Sequence, residues 1–118
     1  MNLKYRVSML CLVMFLSFGM EQKVFSDGSF SEIDMADRKV ILGQYEDAKV
    51  IYQKVIETSE QAVVEAYAHY KLGALYKKQS KLSQAKAEYE KGILSLKQAG
   101  QSQHKIGKYL TQALASAD

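Results

Sequence analysis

The chain has 118 residues, room for one small domain, and at 47% hydrophobic residues it can build a core. Its 16 Lys and Arg against 13 Asp and Glu give a net charge of +3, too mild a bias to imply nucleic acid as a partner. It has no Pro and no Trp, and Tyr, at 8, is the leading aromatic.

Residues 1–26 differ from the rest. Lys4 and Arg6 stand at the start, the apolar run "VSMLCLVMFLSFGM" covers 7–20, and no acid precedes Glu21. A basic start, an apolar run and then small residues is the layout of a secretory signal peptide. The run is shorter than the roughly 20 residues a spanning helix needs. The expectation is export, to the periplasm or the medium, with an uncleaved membrane anchor as the alternative. Cleavage can follow Gly19 or Ser26. Cys11 is the only cysteine; Leu10 precedes it and the run continues past it, which argues against lipidation. Removal of the leader would leave no cysteine, and so no disulfide and no thiolate site.

The domain is expected over 27–118, opening on the turn-like "DGSFS" (27–31). Apolar and small residues then recur at spacings of 3 and 4, which predicts helices at 29–42, 45–58, 61–78, 82–98 and 102–116. Strict alternation is absent, so no strand is expected. The joints Gly43-Gln44, Ser59-Glu60, Ser80-Lys81 and Gly100-Gln101 are short and require neighbouring helices to run antiparallel. The fold class is all-α.

The chain repeats itself. "GQYEDAKVIYQKVI" (43–56) aligns with "SKLSQAKAEYEKGI" (80–93), with Ala, Lys, Tyr, Lys and Ile in register. "KLGALY" (71–76) echoes "KIGKYL" (105–110). A helix–turn–helix unit thus recurs about two and a half times. The pattern resembles the tetratricopeptide repeat (TPR) over about residues 30 to 116. Leu72, Gly73, Tyr76, Ala85, Tyr89 and Gly92 match that family's positions in the central unit, and Gly43, Tyr45, Ala48 and Tyr52 match in the first. Departures are His69 in place of a bulky residue, Ser80 where Gly is common, and Lys97 where Pro often ends the unit. The resemblance implies an α-solenoid of antiparallel helix pairs. In it, Gly73 on one helix and Ala85 and Gly92 on the next allow close approach, while Tyr76 and Tyr89 fill the space beside them. The terminal helix would cover the open end of the stack, with Gln103, Lys105, Lys108, Thr111 and Gln112 facing solvent.

Catalytic chemistry finds no support in the sequence. His69 and His104 lie about one repeat apart with no third ligand evident, so His69 reads as interface packing and His104 as exposed. The carboxylates of "EDAK" (46–49) and "EYEK" (88–91) read as solvated helix pairs. No Gly-rich phosphate loop occurs. The expectation is a protein that is not an enzyme and needs neither cofactor nor metal. Charge is divided along the chain: residues 27–66 carry nine acids and four bases, and residues 67–118 carry nine lysines and three acids.

The resemblance further implies a concave face, made by the first helix of each unit, that holds a partner's peptide or helix. Its positions are Tyr67, Tyr70, Ala74, Lys77 and Lys78 in the central unit. Ile33, Asp37, Val40 and Ile41 join them from the first unit, and His104, Lys108 and Thr111 from the last. Tyr70 with Lys77 and Lys78 suits an acidic or C-terminal carboxylate segment. The alternative reading is a structural protein whose repeat faces bury one another in homo-oligomers. Neither reading involves nucleic acid, and a membrane enters only through residues 1–26.

Overall fold

The computed structural model describes residues 29–117, all-helical and without strands among them. The leader and Cys11 lie outside the described residues. Five helices follow one another: α1 over 29–41, α2 Tyr45–Thr58, α3 Ala62–Lys78, α4 Leu82–Gln98 and α5 Lys105–Ser116.

Each helix follows from its apolar spacing. α1 buries Ile33 and Ala36; α2 buries Ala48, Tyr52 and Val55; α4 buries Ala85, Tyr89, Gly92 and Leu96. These steps of 3, 4 and 7 make one stripe per helix. α3 is different. It buries Val64, Ala66, Ala68, His69, Leu72, Gly73, Leu75 and Tyr76, which run around most of its circumference. It is the central helix and packs against α2, α4 and α5. Glu46 and Asp47 in the first turn of α2, and Lys77 and Lys78 in the last turn of α3, oppose the helix dipoles with the favourable sign.

Three helices end in the same way. Gly43, Ser80 and Gly100 take left-handed φ values of +76°, +62° and +69°. The N–H of each bonds to the carbonyl three residues back, and the next N–H bonds to the carbonyl five back: Gly43 to Val40 with Gln44 to Lys39, Ser80 to Lys77 with Lys81 to Tyr76, Gly100 to Lys97 with Gln101 to Leu96. This is the Schellman arrangement, which satisfies carbonyls the helix leaves open. α2 starts immediately after Gln44 and α4 immediately after Lys81. The two turns therefore superpose on the 37-residue repeat read from the sequence.

The last helix starts later than the spacing predicted, at Lys105 rather than 102. His104 is its N-cap: the imidazole Nδ1 accepts the Ile106 N–H at 3.2 Å. A turn closed by His104 N–H to the Gln101 carbonyl occupies the residues before it.

Side-chain contacts fix the direction of the helices. Phe30 meets Tyr67 and Asp37 meets Lys71, so position rises together along α1 and α3. Tyr70 meets Tyr109 and Lys77 meets Ser116, so α5 follows the same direction. α1, α3 and α5 thus lie side by side and parallel. α2 joins α1 through Tyr52–Asp37 and through Lys54–Glu32 at 3.2 Å, and α4 packs on α3 and α5.

Candidate partner-binding face

The parallel helices α1, α3 and α5 present one common face. On α3 the residues Tyr67, Tyr70, Lys71, Ala74, Lys77 and Lys78 recur at helical spacing and are exposed or half-buried. Two features occupy this face.

The first is a cleft of about 560 Å³ between the C-terminal halves of α1 and α3, lined by Asp37, Val40, Ile41, Tyr52, Lys71, Ala74, Leu75, Lys77 and Lys78. The structure thus brings together Asp37, Val40, Ala74, Lys77 and Lys78 from the expected groove, and Ile41 with them. Asp37 is already engaged at the base. Its Oδ1 accepts the Tyr52 hydroxyl and its Oδ2 pairs with Lys71 Nζ at 3.2 Å. Burial, and then Asp37, push the Tyr52 hydroxyl far above its usual pKa, so it remains a donor. Burial alone would lower Lys71, but Asp37 and then Tyr67 outweigh it and raise it, so its charge is spent inside the protein. The cations that remain on the rim are Lys77, which reaches Ser116 Oγ only at 3.5 Å, and Lys78. Above a neutralised base, the cleft is apolar with a positive rim.

The second feature is a row of rings across all three helices. Phe30 on α1 stands 6.4 Å from Tyr67 on α3, Tyr67 stands 6.4 Å from Tyr70, and Tyr70 stands 6.4 Å from Tyr109 on α5. Phe30 is 42% and Tyr109 49% exposed. Lys71 Nζ lies 5.5 Å from the Tyr67 ring centre, a cation–π contact that anchors the row to the cleft. Tyr70 also leans on Tyr89 of α4 at 6.2 Å.

Several expected residues stand elsewhere. His104 is half-buried and caps α5, outside both features; its ring nitrogen is committed to Ile106. Lys108 and Thr111 are exposed on α5 but do not line the cleft, and the Thr111 hydroxyl donates to the Gly107 carbonyl. Ile33 is 1% exposed and belongs to the core, because its side of α1 faces the other helices. Phe30, Tyr52, Lys71 and Tyr109 were not singled out for the face by sequence. Lys71 was within reach, since it lies one turn after Tyr67 and beside Tyr70. Tyr52 was read only as packing, and its hydroxyl emerges at the cleft because Asp37 stands opposite.

The packing residues also divide. Gly73 lies against the Tyr89 ring itself, and a Cβ there would stand 2.5 Å from Cε1 and 2.8 Å from Cδ1. Gly92 faces α5 and α3 instead, with Leu110 Cδ2 at 2.9 Å and the Ala66 carbonyl oxygen at 3.3 Å from a Cβ. Gly92 thus admits the last helix as well as the close approach of α3 to α4. Leu72, Tyr76, Ala85, Ala48 and Tyr52 are buried, Tyr45 packs on the core from outside, and Gly43 makes the first turn.

Glu88, read as part of a solvated face, is 8% exposed. Its Oε2 lies 2.7 Å from Nδ1 of His69, itself 6% exposed, and its Oε1 lies 3.4 Å from Lys91 Nζ. Glu65 stands 3.8 Å from the other imidazole nitrogen and accepts the Ser95 hydroxyl at 3.0 Å. The position of His69 in the α3–α4 interface creates the need for a buried partner, and one turn spacing could not reveal it. Among the described residues no group of three or more His, Cys, Asp or Glu could hold a metal ion. None of their helices is long and apolar enough to cross a membrane. No protein-family model, curated protein or solved structure matches the chain.

Proposed function

We propose that this protein is a tetratricopeptide-repeat-like interaction module that holds a segment of a partner protein on the face of α1, α3 and α5. One observation carries the reading: three parallel helices present a continuous row of half-exposed rings beside an apolar cleft rimmed by Lys77 and Lys78. A monomer seldom leaves aromatic surface contiguous across three elements unless something covers it. The 37-residue recurrence of the Schellman turn and the helix pairing it sets support the repeat reading. The face offers rings, aliphatic walls and cations, which is recognition chemistry and supports a role other than catalysis. The basic start and apolar run at 4–20 support an exported protein.

The test is capture of the partner by the exported form, followed by surface plasmon resonance at low and moderate salt. Exposed charges contribute about 0–1 kcal/mol each and act mainly on association. Lys77→Glu with Lys78→Glu is therefore expected to slow association and flatten its salt dependence, and Tyr70→Ala to speed dissociation. Unaltered rates in both variants would remove the face from the interaction.

A further inference from the structure

We infer that the cleft between α1 and α3 is a binding site for a single-chain fatty acid, with the alkyl chain along its apolar walls and the carboxylate at Lys77 and Lys78. The site lies beside the row of rings and includes none of Phe30, Tyr70 and Tyr109, so it goes beyond the partner reading and does not depend on it.

Val40 and Ile41 form the α1 wall of the cleft, and Ala74 and Leu75 form the α3 wall. Ile41 is 83% exposed, more than any other large apolar side chain among the described residues. An apolar ligand lying in the cleft removes that surface from water. At about 560 Å³ the cleft falls in the range of small-molecule sites, about 300–1,000 Å³. Its lining runs along α3 from Lys71 to Lys78, a length of about 10 Å at the helical rise.

Hydrogen bonding selects an alkyl chain over a peptide here. At the base both oxygens of Asp37 are taken, one by Tyr52 and one by Lys71. The walls are helices, which hold their N–H and C=O groups in their own ladders, and the turn after α1 bonds the Lys39 and Val40 carbonyls as well. Peptide groups laid against such walls find no partners, and burying them unpaired costs free energy. A methylene chain asks for none.

Charge fixes the headgroup. Lys77 reaches only the neutral Ser116 hydroxyl, at 3.5 Å, and no ion pair engages Lys77 or Lys78 among the described residues. α1 and α3 run parallel, so both end on this side of the cleft, and each helix end carries about −0.5 of a charge. Two ammonium groups outweigh those two ends by about one unit. An anion is therefore held, and only while both lysines are present. A cleft of this length takes one chain; a diacyl lipid would leave its second chain in water.

Isothermal titration calorimetry of the full chain at low salt, with octanoate, decanoate, decanol and decylammonium below their micelle concentrations, tests this. Burying a methylene is worth about 0.8 kcal/mol, or about fourfold, and in an open cleft each methylene from octanoate to decanoate is expected to tighten binding about two- to fourfold. Decanoate is expected to bind about tenfold more tightly than decylammonium. Lys77→Gln with Lys78→Gln is expected to weaken decanoate about three- to thirtyfold and to leave decanol unchanged. Ala74→Phe places a ring in the cleft from an exposed position and is expected to weaken decanoate and decanol alike, with the melting temperature held. Should that variant not fold, the decanoate–decanol difference in the glutamine pair, which is confined to exposed lysines, still decides. Absence of decanoate binding, equal binding of decanoate and decylammonium, or indifference of decanoate to a folded Ala74→Phe would overturn the site. So would loss of decanoate binding in Tyr109→Ala, which would move the ligand onto the rings. Tyr70-dependent capture of a partner is a separate measurement, so either reading can fail while the other stands.

Discussion

Gly73 shows how one hydrogen decides a helix contact. Leucine is the better helix former by close to 1 kcal/mol, so at an exposed site Gly73→Leu would stabilise. Here the Tyr89 ring occupies the space where a Cβ would go, and that ring is itself buried. Overpacking typically costs about 1–3 kcal/mol, and both partners are fixed in the core. The expected outcome is a lower melting temperature, and Gly73→Ala should show the same sign. A raised midpoint for either would mean that the α3–α4 approach is looser than described. Ser80 gives the opposite case. It adopts the left-handed conformation that Gly43 and Gly100 adopt at the equivalent turns. A side chain there costs about 1–2 kcal/mol, against about 0.5–1 kcal/mol that glycine loses in unfolded-state entropy. Ser80→Gly is expected to stabilise by roughly 0.5–1 kcal/mol in chemical denaturation; a loss of stability would show that this turn does not carry the strain its φ implies.

At the scale of the element, the α3–α4 interface is stapled by polar groups as well as packed. Burial pushes the Glu88 carboxyl up, but the hydrogen bond and charge of His69, with Lys91, outweigh it and hold its pKa below the usual value of 4.5. A carboxyl depressed on folding contributes stability that is present above its unfolded pKa and is lost as pH falls through the folded one. Acid is therefore expected to destabilise the helix pair progressively below about pH 4.5. Glu88→Gln keeps the size of the side chain and removes that ionisation. It is expected to be less stable than the parent near neutral pH and to converge on it in acid, as followed by circular dichroism melts across pH. A constant difference down to the lowest pH would place the acid sensitivity elsewhere. The remaining groups facing His69 are Glu65 on its own helix and, through Glu65, the Ser95 hydroxyl on α4.

At the scale of the molecule, the acidic α1–α2 half and the basic remainder raise the question of head-to-tail association. Apolar side chains are exposed in both halves of the chain, Ile41, Leu42 and Val50 in the first and Leu82 and Leu94 in the second. A heterologous contact of that kind does not close and would grow into open stacks. Long-range attraction between exposed charges is screened within about 10 Å at 0.1 M salt. If the common face serves a separate partner, size-exclusion chromatography is expected to give one species of the same size at low and high salt. A larger species at low salt that dissociates at high salt would favour self-assembly instead.

The all-α class, the five helices and their turns were legible in the sequence, because helical spacing and turn residues are local properties. Ile33, Ala36, Ala48, Tyr52 and Val55 declare their faces by recurring every 3 to 4 residues, and Gly43 and Gly100 declare the left-handed ends. The late start of α5 was not legible, since it depends on an imidazole turning back onto Ile106. Nor was the partner of His69, nineteen residues away on another helix, nor the role of Gly92 in admitting Leu110. The face itself was half legible. Helix phase placed Tyr70, Ala74, Lys77 and Lys78 on one side of α3, a consequence of 3.6 residues per turn. That Asp37 neutralises Lys71, that Phe30 and Tyr109 extend the row, and that His104 leaves it were decided by how α1 and α5 dock against α3. Docking is set by side chains meeting across elements, and the order of residues along one helix does not contain the distance to the next.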